Sequence, residues 1–290
     1  MPSSSTSSSN KTGTLFLVGT PIGNLEDITL RAIRTLGEVD VVACEDTRHT
    51  QVLLDHFQIT TPTISYHEHN ELTRAPELIL RLEEGEHIAL VSDAGMPGIS
   101  DPGHRLVALC IRHEIEVQPV PGPSAFLASL AAGGLSTQSF RFAGFLPPKK
   151  GQRRKELETL KDLADTLVFY EAPHRILETL EDIAETLGDR LVVVAREVTK
   201  IHEEFLRGTC RQVLEELSRR DRVKGEITLI VDRPHPEDAH AVAATKPLRQ
   251  RVEELMKQKS LRKMDALKFA AKERGISKRQ AYEELEQTDE

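Results

Sequence analysis

Tryptophan is absent from this chain, and aromatic residues make up only 4% of it. Few side chains are therefore available as stacking platforms, so a nucleic-acid partner would be held mainly through phosphate and shape. Cysteine is scarce as well. Cys44, Cys110 and Cys210 lie far apart and form no C-x-x-C pair, which excludes a disulfide framework and a structural zinc site and makes a reducing cytoplasm the expected location. No window approaches the roughly 18 apolar residues of a membrane span. Neither G-x-G-x-x-G nor a Walker Gly-Lys-Ser/Thr occurs at the expected places. No metal is expected, because the spacing of His, Cys and acidic residues proposes no ligand set. The stretch Met1 to Thr12 is serine-rich without an apolar core, so it is read as a disordered tail rather than a signal peptide.

Charge is uneven along the chain. The whole carries a net charge of -8, which alone argues against a polyanion partner. From Lys246 to Arg279, however, twelve Lys/Arg face four Asp/Glu. The last eleven residues carry five acids and no Lys or Arg, so an acidic body is followed by a basic segment with an acidic end, an asymmetry that points to a polyanion partner for that segment.

What is present is an alternation of short apolar runs with helical periodicity. Thr14 to Val18, Val39 to Cys44, Thr63 to Tyr66, His87 to Val91 and Glu116 to Val120 read as strands. Helices are expected over 28–36 (capped by Asp27), 50–57, 74–84, 105–111 and from Ala125 to Ala132. After a break the pattern resumes with strands at Phe140, Thr166, Leu191 and Ile227, and a clear helical face follows His174-Arg175. The expected fold is α/β: two consecutive α/β domains (13–134 and 135–233), a linker (234–245) and a basic helical module (246–290). Three short helices are expected in the module, with Gly275 separating the last two and Ser277 capping the third.

Polar and glycine-rich clusters recur at the ends of these strands, where ligands bind in open α/β sheets. They are Gly19-Thr20-Pro21-Ile22-Gly23-Asn24-Leu25, Cys44-Glu45-Asp46-Thr47-Arg48, and Ser65-Tyr66-His67-Glu68-His69-Asn70. The longest is Ser92-Asp93-Ala94-Gly95-Met96-Pro97-Gly98-Ile99-Ser100-Asp101-Pro102-Gly103. Phe169-Tyr170-Glu171-Ala172-Pro173-His174-Arg175 and Arg196-Glu197-Val198-Thr199-Lys200 complete the set. Taken singly, each has a plain alternative: a turn, a helix cap at Ser124, or a surface pairing of Glu45 and Asp46 with Arg48.

Taken together and in this order, the six clusters resemble the methyltransferases of the tetrapyrrole-methylase fold, and within them the branch that modifies bacterial 16S rRNA. The porphyrin-precursor branch carries a Gly-Gly-Asp version of the long loop. Here Ser92-Asp93 stands in its place, and extra residues precede Ile99. The resemblance implies S-adenosylmethionine held in a cleft between the two α/β domains of a homodimer. Its contacts would be Pro21, Ser92, Asp93, Ala94, Ile99, Ser124, Ala125, Tyr170 and Glu171. It further implies methyl transfer to the ribose 2′-hydroxyl of a decoding-centre cytidine of 16S rRNA, in the assembled small ribosomal subunit.

A hydroxyl is a poor nucleophile, so a general base is expected; Glu45, Asp46, His67, Glu171, His174 and Glu197 are the strand-end candidates, with Glu171 and Glu45 preferred. Phosphate contacts are expected from the basic loop Lys149, Lys150, Arg153, Arg154 and Lys155, and from His174 and Arg175. The terminal module would add Arg262, Lys263, Lys278 and Arg279. A small tetrapyrrole-like substrate, or a non-catalytic RNA-binding regulator on the same fold, are the competing readings. The basic loop and module weigh against the first, and the intact strand-end clusters weigh against the second.

Overall fold

The computed structural model describes residues 12–234, 248–259, 261–273 and 276–287. The serine-rich tail up to Lys11, the linker from residue 235 onward and Gly275 lie outside the described residues. The chain divides into two units. The first holds the residues up to Gly134 together with Ala195–Phe205 and Gly225–Thr228, and the second holds the rest.

The first unit runs β1 (Thr14–Val18), α1 (Leu30–Glu38), β2 (Val41–Cys44), α2 (Thr47–His56), β3 (Thr63–Ser65), α3 (Glu71–Glu83), β4 (Ile88–Leu90), α4 (His104–Arg112), β5 (Glu116–Val120) and α5 (Ala125–Gly133). Its sheet has the order β3-β2-β4-β1-β5, and its pairings are parallel. All of β2 and β4 is buried, as expected when helices cover both faces of a parallel sheet. Period-2 alternation then divides the core. Val41, Ala43, Ile88 and Leu90 pack with Leu78, Leu82, Leu106 and Cys110 of α3 and α4. Val42, Cys44, Ala89 and Val91 pack with Leu36 and Leu54 of α1 and α2. Burying each such side chain contributes about 1.5–3 kcal/mol before entropy is counted.

This arrangement decides where a ligand can enter. The helix after β1 lies on one face and the helix after β4 on the other, while β1 and β4 are neighbours. Their carboxyl ends therefore flank a topological switch point, where the two connections part and leave a crevice.

The second unit carries β6 (Phe140–Phe145), α6 (Lys150–Leu160), β7 (Thr166–Glu171), α7 (Ile176–Thr186), β8 (Leu191–Arg196), β9 (Glu204–Thr209), α8 (Cys210–Ser218) and β10 (Ile227–Val231). The sheet order is β6-β7-β10-β8-β9. β6 and β7 are parallel, with an irregular register between Phe142 and Phe145. Three terminal helices follow: α9 (Leu248–Lys259), α10 (Lys263–Glu273) and α11 (Lys278–Gln287). They share a core of Leu248, Val252, Leu255, Ala266, Leu267, Ala270, Ala271, Ala281 and Leu285. Ser277 caps α11: its Oγ accepts the Gln280 backbone N–H at 3.2 Å, and the Gln280 side chain accepts the Ser277 N–H at 2.9 Å. Among the described residues no helix is long and apolar enough to cross a membrane.

Three local readings change. The first helix begins at Leu30, not Ile28, and Thr29 caps it by accepting from the Ala32 N–H. Asp27 instead closes a short 3-10 turn, Leu25–Asp27, capped by Asn24. The expected basic loop at 149–155 is the first turn and a half of α6, with Lys149 at its N-cap. Strand β9 was not legible, because Phe205 and Leu206 are its only large apolar residues and they are adjacent rather than alternating.

Candidate functional site

Two loops at the switch point are tied into one body. The Thr20 N–H donates to Gly95 O at 2.9 Å, and the Gly95 N–H donates to Thr20 O at 3.1 Å. Beneath this bridge the buried Thr20 hydroxyl donates to Ser92 O at 3.0 Å, and the Ser92 hydroxyl lies 3.3 Å from Gly95 O. The loop after β5 joins them by backbone contact. A Cβ on Gly19 would lie 2.7 Å from the Gly122 Cα and 2.8 Å from the Met96 sulfur. No side chain fits there, so both glycines are required for the approach. The loop after β2 is tethered by the Asp46 N–H, which donates to Asp93 Oδ1 at 3.2 Å.

Pro21, Ser92 and Asp93 thereby line one depression of about 190 Å³, together with Thr20, Gly23, Leu25, His49 and Thr50. Ser124 stands at the N-terminus of α5, but its hydroxyl accepts no capping hydrogen bond. Ala94 and Ile99 are exposed along the same loop, and Ala125 is half-buried. A loop from far along the sequence also reaches this unit. A Cβ on Gly23 would lie 2.3 Å from the Lys200 Cγ. The Lys200 ammonium is held at 3.0 Å from both Glu197 and Glu226.

Carboxylates crowd the same edge. Burial raises the Glu45 pKa, the charge of Asp93 adds to the shift, and His67 opposes it. Burial pushes the Asp101 carboxyl up to about 6, helped by Glu45 and Asp93 and opposed by a hydrogen bond from Ser92. Asp101 follows Ser100, which sits at a positive φ of 62°, a backbone state that a non-glycine residue holds only under constraint. Asp101 was not singled out from the sequence, where Asp-Pro-Gly reads as an ordinary turn; only the fold turns it toward Glu45 and Asp93. The buried His67 Nδ1 has no hydrogen-bond partner. Asp46 is otherwise engaged: hydrogen bonds from Arg48 hold its carboxyl well below the usual carboxylate range. The surface pairing considered for that segment therefore describes Asp46 and not Glu45.

Tyr170 and Glu171 belong to the second unit. The Tyr170 ring packs edge-on against Phe142, with centroids 5.0 Å apart. Glu171 does not have the surroundings of a general base. One oxygen accepts from the Ala172 N–H at 2.7 Å and from Arg175 Nε at 2.8 Å, and the other accepts from the Thr179 hydroxyl at 2.7 Å. Its side chain is wholly buried, so both oxygens are committed to protein donors. Arg175 is correspondingly spent on Glu171 and on Leu146 O and is withdrawn from phosphate contact, while His174 is exposed.

The basic stretch also divides. Arg153 is 0% exposed and donates to Asp182 at 2.7 Å. Arg154 donates to Asp182 at 2.6 Å and pairs with Glu185. Helical spacing explains this: Arg153 falls on the face of α6 that buries Leu157 and Leu160, and a cation there survives only with a buried counter-charge. The expected phosphate role is thus corrected for Arg153 and weakened for Arg154, whereas Lys149, Lys150 and Lys155 remain exposed. In the terminal helices Arg262, Lys263, Lys278 and Arg279 are exposed.

Comparisons with known proteins give a family match and several relatives. The family model for tetrapyrrole (corrin/porphyrin) methylases matches residues 14–214. A ribosomal RNA small subunit methyltransferase I of Halalkalibacterium halodurans is 50% identical over 274 residues, covering 93% of both chains. The protein of that name from Bacillus subtilis is 44% identical, again over 93% of both. Among solved structures, a uroporphyrin-III-C-methyltransferase from Thermus thermophilus aligns with a TM-score of 0.55 and 22% identity, over 76% of this chain and 94% of that one. A cobalt precorrin-4 methyltransferase aligns at a TM-score of 0.57 and 18% identity, with the same coverage. At such identities the structural likeness speaks for the fold alone.

Proposed function

The chain belongs to the tetrapyrrole (corrin/porphyrin) methylase family, and we propose that it is an S-adenosylmethionine-dependent methyltransferase of small-subunit ribosomal RNA. The proposed acceptor is the ribose 2′-hydroxyl of a decoding-centre cytidine in the assembled small subunit. The names and near-complete coverage of its relatives at 44–50% identity support the RNA substrate. We take the enzyme to act as a cytoplasmic homodimer.

One observation carries the donor assignment. The buried Thr20–Ser92–Gly95 knot places Pro21 and Asp93 around a single depression at the switch point of the parallel sheet. The residues fit a nucleoside-bearing donor. Asp93 offers a carboxylate to ribose hydroxyls, and Ser124 offers an uncommitted hydroxyl. Bound there, S-adenosylmethionine supplies a methyl carbon activated by a positive sulfur.

The residues of the chain then have two tasks. The first is alignment: the knotted loops fix donor and acceptor relative to one another, and that alone accounts for a large share of the rate. The second is proton management. The acceptor oxygen loses its proton as it gains the methyl group, and Asp101 is the carboxylate whose raised pKa suits a base near neutrality. Glu45 shares that edge and tunes Asp101 through its charge. Glu171, with both oxygens bound, holds Arg175 and the start of the following helix in place.

Calorimetric titration with S-adenosylmethionine tests the donor site. Binding by the wild-type protein and its loss in Asp93→Ala are expected, and full binding by Asp93→Ala would remove the assignment. Mapping 2′-O-methylation on 16S rRNA from cells lacking the protein tests the acceptor, and an unmodified decoding-centre cytidine is expected.

A further inference from the structure

A second cavity lies apart from the donor depression. It measures about 640 Å³ and lies on the other side of the long loop, between the start of α3 and the length of α4. Its size falls within the roughly 300–1,000 Å³ usual for ligand sites. We propose that this cavity receives the acceptor nucleotide of the RNA. His104, Arg105 and Arg112 take its phosphates, Pro102 and Leu109 floor its base, and Glu68 and Glu71 face its amino and hydroxyl groups. This rests on the RNA-methyltransferase reading above and deepens it by placing the substrate.

Three observations lead there. The first is the end of α4. Its N-cap is Gly103, which offers no side-chain cap, and its first turn contains no acid. The first two residues are instead His104 and Arg105, so cations sit at the positive end of the helix dipole. That arrangement costs stability unless an anion is bound, and free backbone N–H groups at a helix start are suited to a phosphate.

The second is unused charge. Glu68, Glu71, His104, Arg105 and Arg112 line the same cavity. None of their side chains forms a hydrogen bond or ion pair with another described residue. Elsewhere in this unit Arg48, Arg74 and Arg81 are paired at 2.5–2.7 Å, while the exposed Arg34 of α1 is a lone arginine among the described residues. Groups of both signs, facing one space and left apart, suit a ligand that itself carries anionic and hydrogen-donating ends. A nucleotide is such a ligand. Carboxylates accept from the exocyclic amine of cytosine or adenine, and uracil has no such donor.

The third is position. Asp101 lines this cavity, and its carboxylate feels the charge of Asp93, which lines the donor depression. A nucleotide seated over Pro102 and Leu109 therefore has its sugar beside Asp101 and next to the donor.

The test uses the full-length protein, S-adenosylmethionine, and small ribosomal subunits lacking the modification. Arg105→Ala/Arg112→Ala is expected to raise the KM for subunits by roughly tenfold and to flatten its salt dependence. The dissociation constant for S-adenosylmethionine should stay within about twofold, and Arg105→Lys/Arg112→Lys should recover much of the loss. In a second arm, pentanucleotide RNAs with cytidine or uridine at the centre are titrated without donor. Wild type should prefer cytidine, and Glu68→Gln/Glu71→Gln should erase most of that preference. An unchanged KM in the arginine variant overturns the proposal. So does a loss of S-adenosylmethionine affinity equal to the loss for subunits, because the cavity would then belong to the donor. Failure of the wild-type protein to bind S-adenosylmethionine would instead strike the methyltransferase reading, while the oligonucleotide arm still reads the cavity.

Discussion

Asp101 shows how strongly one residue depends on its neighbours. In the unfolded chain its carboxyl titrates near 3.8, and burial beside Glu45 and Asp93 lifts it to about 6 in the fold. Two consequences have opposite signs. Between those values the native state binds more protons than the unfolded state, so the contribution of Asp101 to stability is full below about pH 4 and is lost as the pH rises through about 6. Asp101→Asn should therefore melt close to wild type at pH 4 and above it at pH 7 by calorimetry. A base, however, must be ionised to act, so turnover should rise with pH through about 6, and this limb should vanish in Asp101→Asn along with most of the rate. Glu171 gives the contrasting case. Its removal leaves Arg175 without its charge partner, and breaking a buried pair costs roughly 3–5 kcal/mol. Denaturant melts should show Glu171→Ala strongly destabilised, and Glu171→Gln, once folded, should keep the wild-type pH profile.

Helix α6 makes the corresponding point for an element. Lys149, Lys150, Arg153, Arg154 and Lys155 form one basic run along the chain, but a helix turns about 100° per residue and sends them in different directions. Arg153 enters the core and meets Asp182 of α7, while the three lysines stay in solvent. Neutralising the two groups should therefore give different phenotypes. Asp182→Ala strands a buried guanidinium and should lower stability by roughly 3–5 kcal/mol in urea titrations. Lys149→Ala/Lys150→Ala/Lys155→Ala should leave the melting midpoint nearly unchanged and weaken RNA binding at low salt. At the start of α1, Thr29→Ala removes the hydroxyl that accepts from the Ala32 N–H and should cost about 1 kcal/mol.

Across the whole molecule, charge and architecture are separated along the chain. The acidic body carries the strand-end loops, and the stretch from Lys246 to Arg279, with its excess of Lys and Arg, supplies most of three terminal helices with a core of their own. If that module docks on RNA, Lys263→Ala/Lys278→Ala should weaken binding to every RNA sequence alike. The slope of log affinity against log salt should fall by about one for each phosphate left without its lysine. Donor affinity measured by calorimetry should not change, since neither lysine belongs to the unit that carries the loops of the first sheet.

Much of this was legible in the chain itself. Apolar runs alternating with helical patterns dictate a parallel α/β sheet, because each buried strand must be covered on both faces. β5 and the start of α5 fall where composition places them. The strand-end clusters mark the ligand-binding edge, since only turn-forming and polar residues suit the carboxyl ends of such strands. What the tertiary structure decided was which polar groups are spent and which are free. Sequence places Glu171 and Asp101 equally at strand ends, yet one is saturated by Arg175 and Thr179 while the other is crowded by like charge. It cannot bring Lys200 against Gly23, nor leave Arg105 and Arg112 unpaired across a cavity from Glu68 and Glu71. Those facts depend on packing between residues distant along the chain, and the free energy of a buried or crowded charge is set by that packing rather than by its neighbours in sequence.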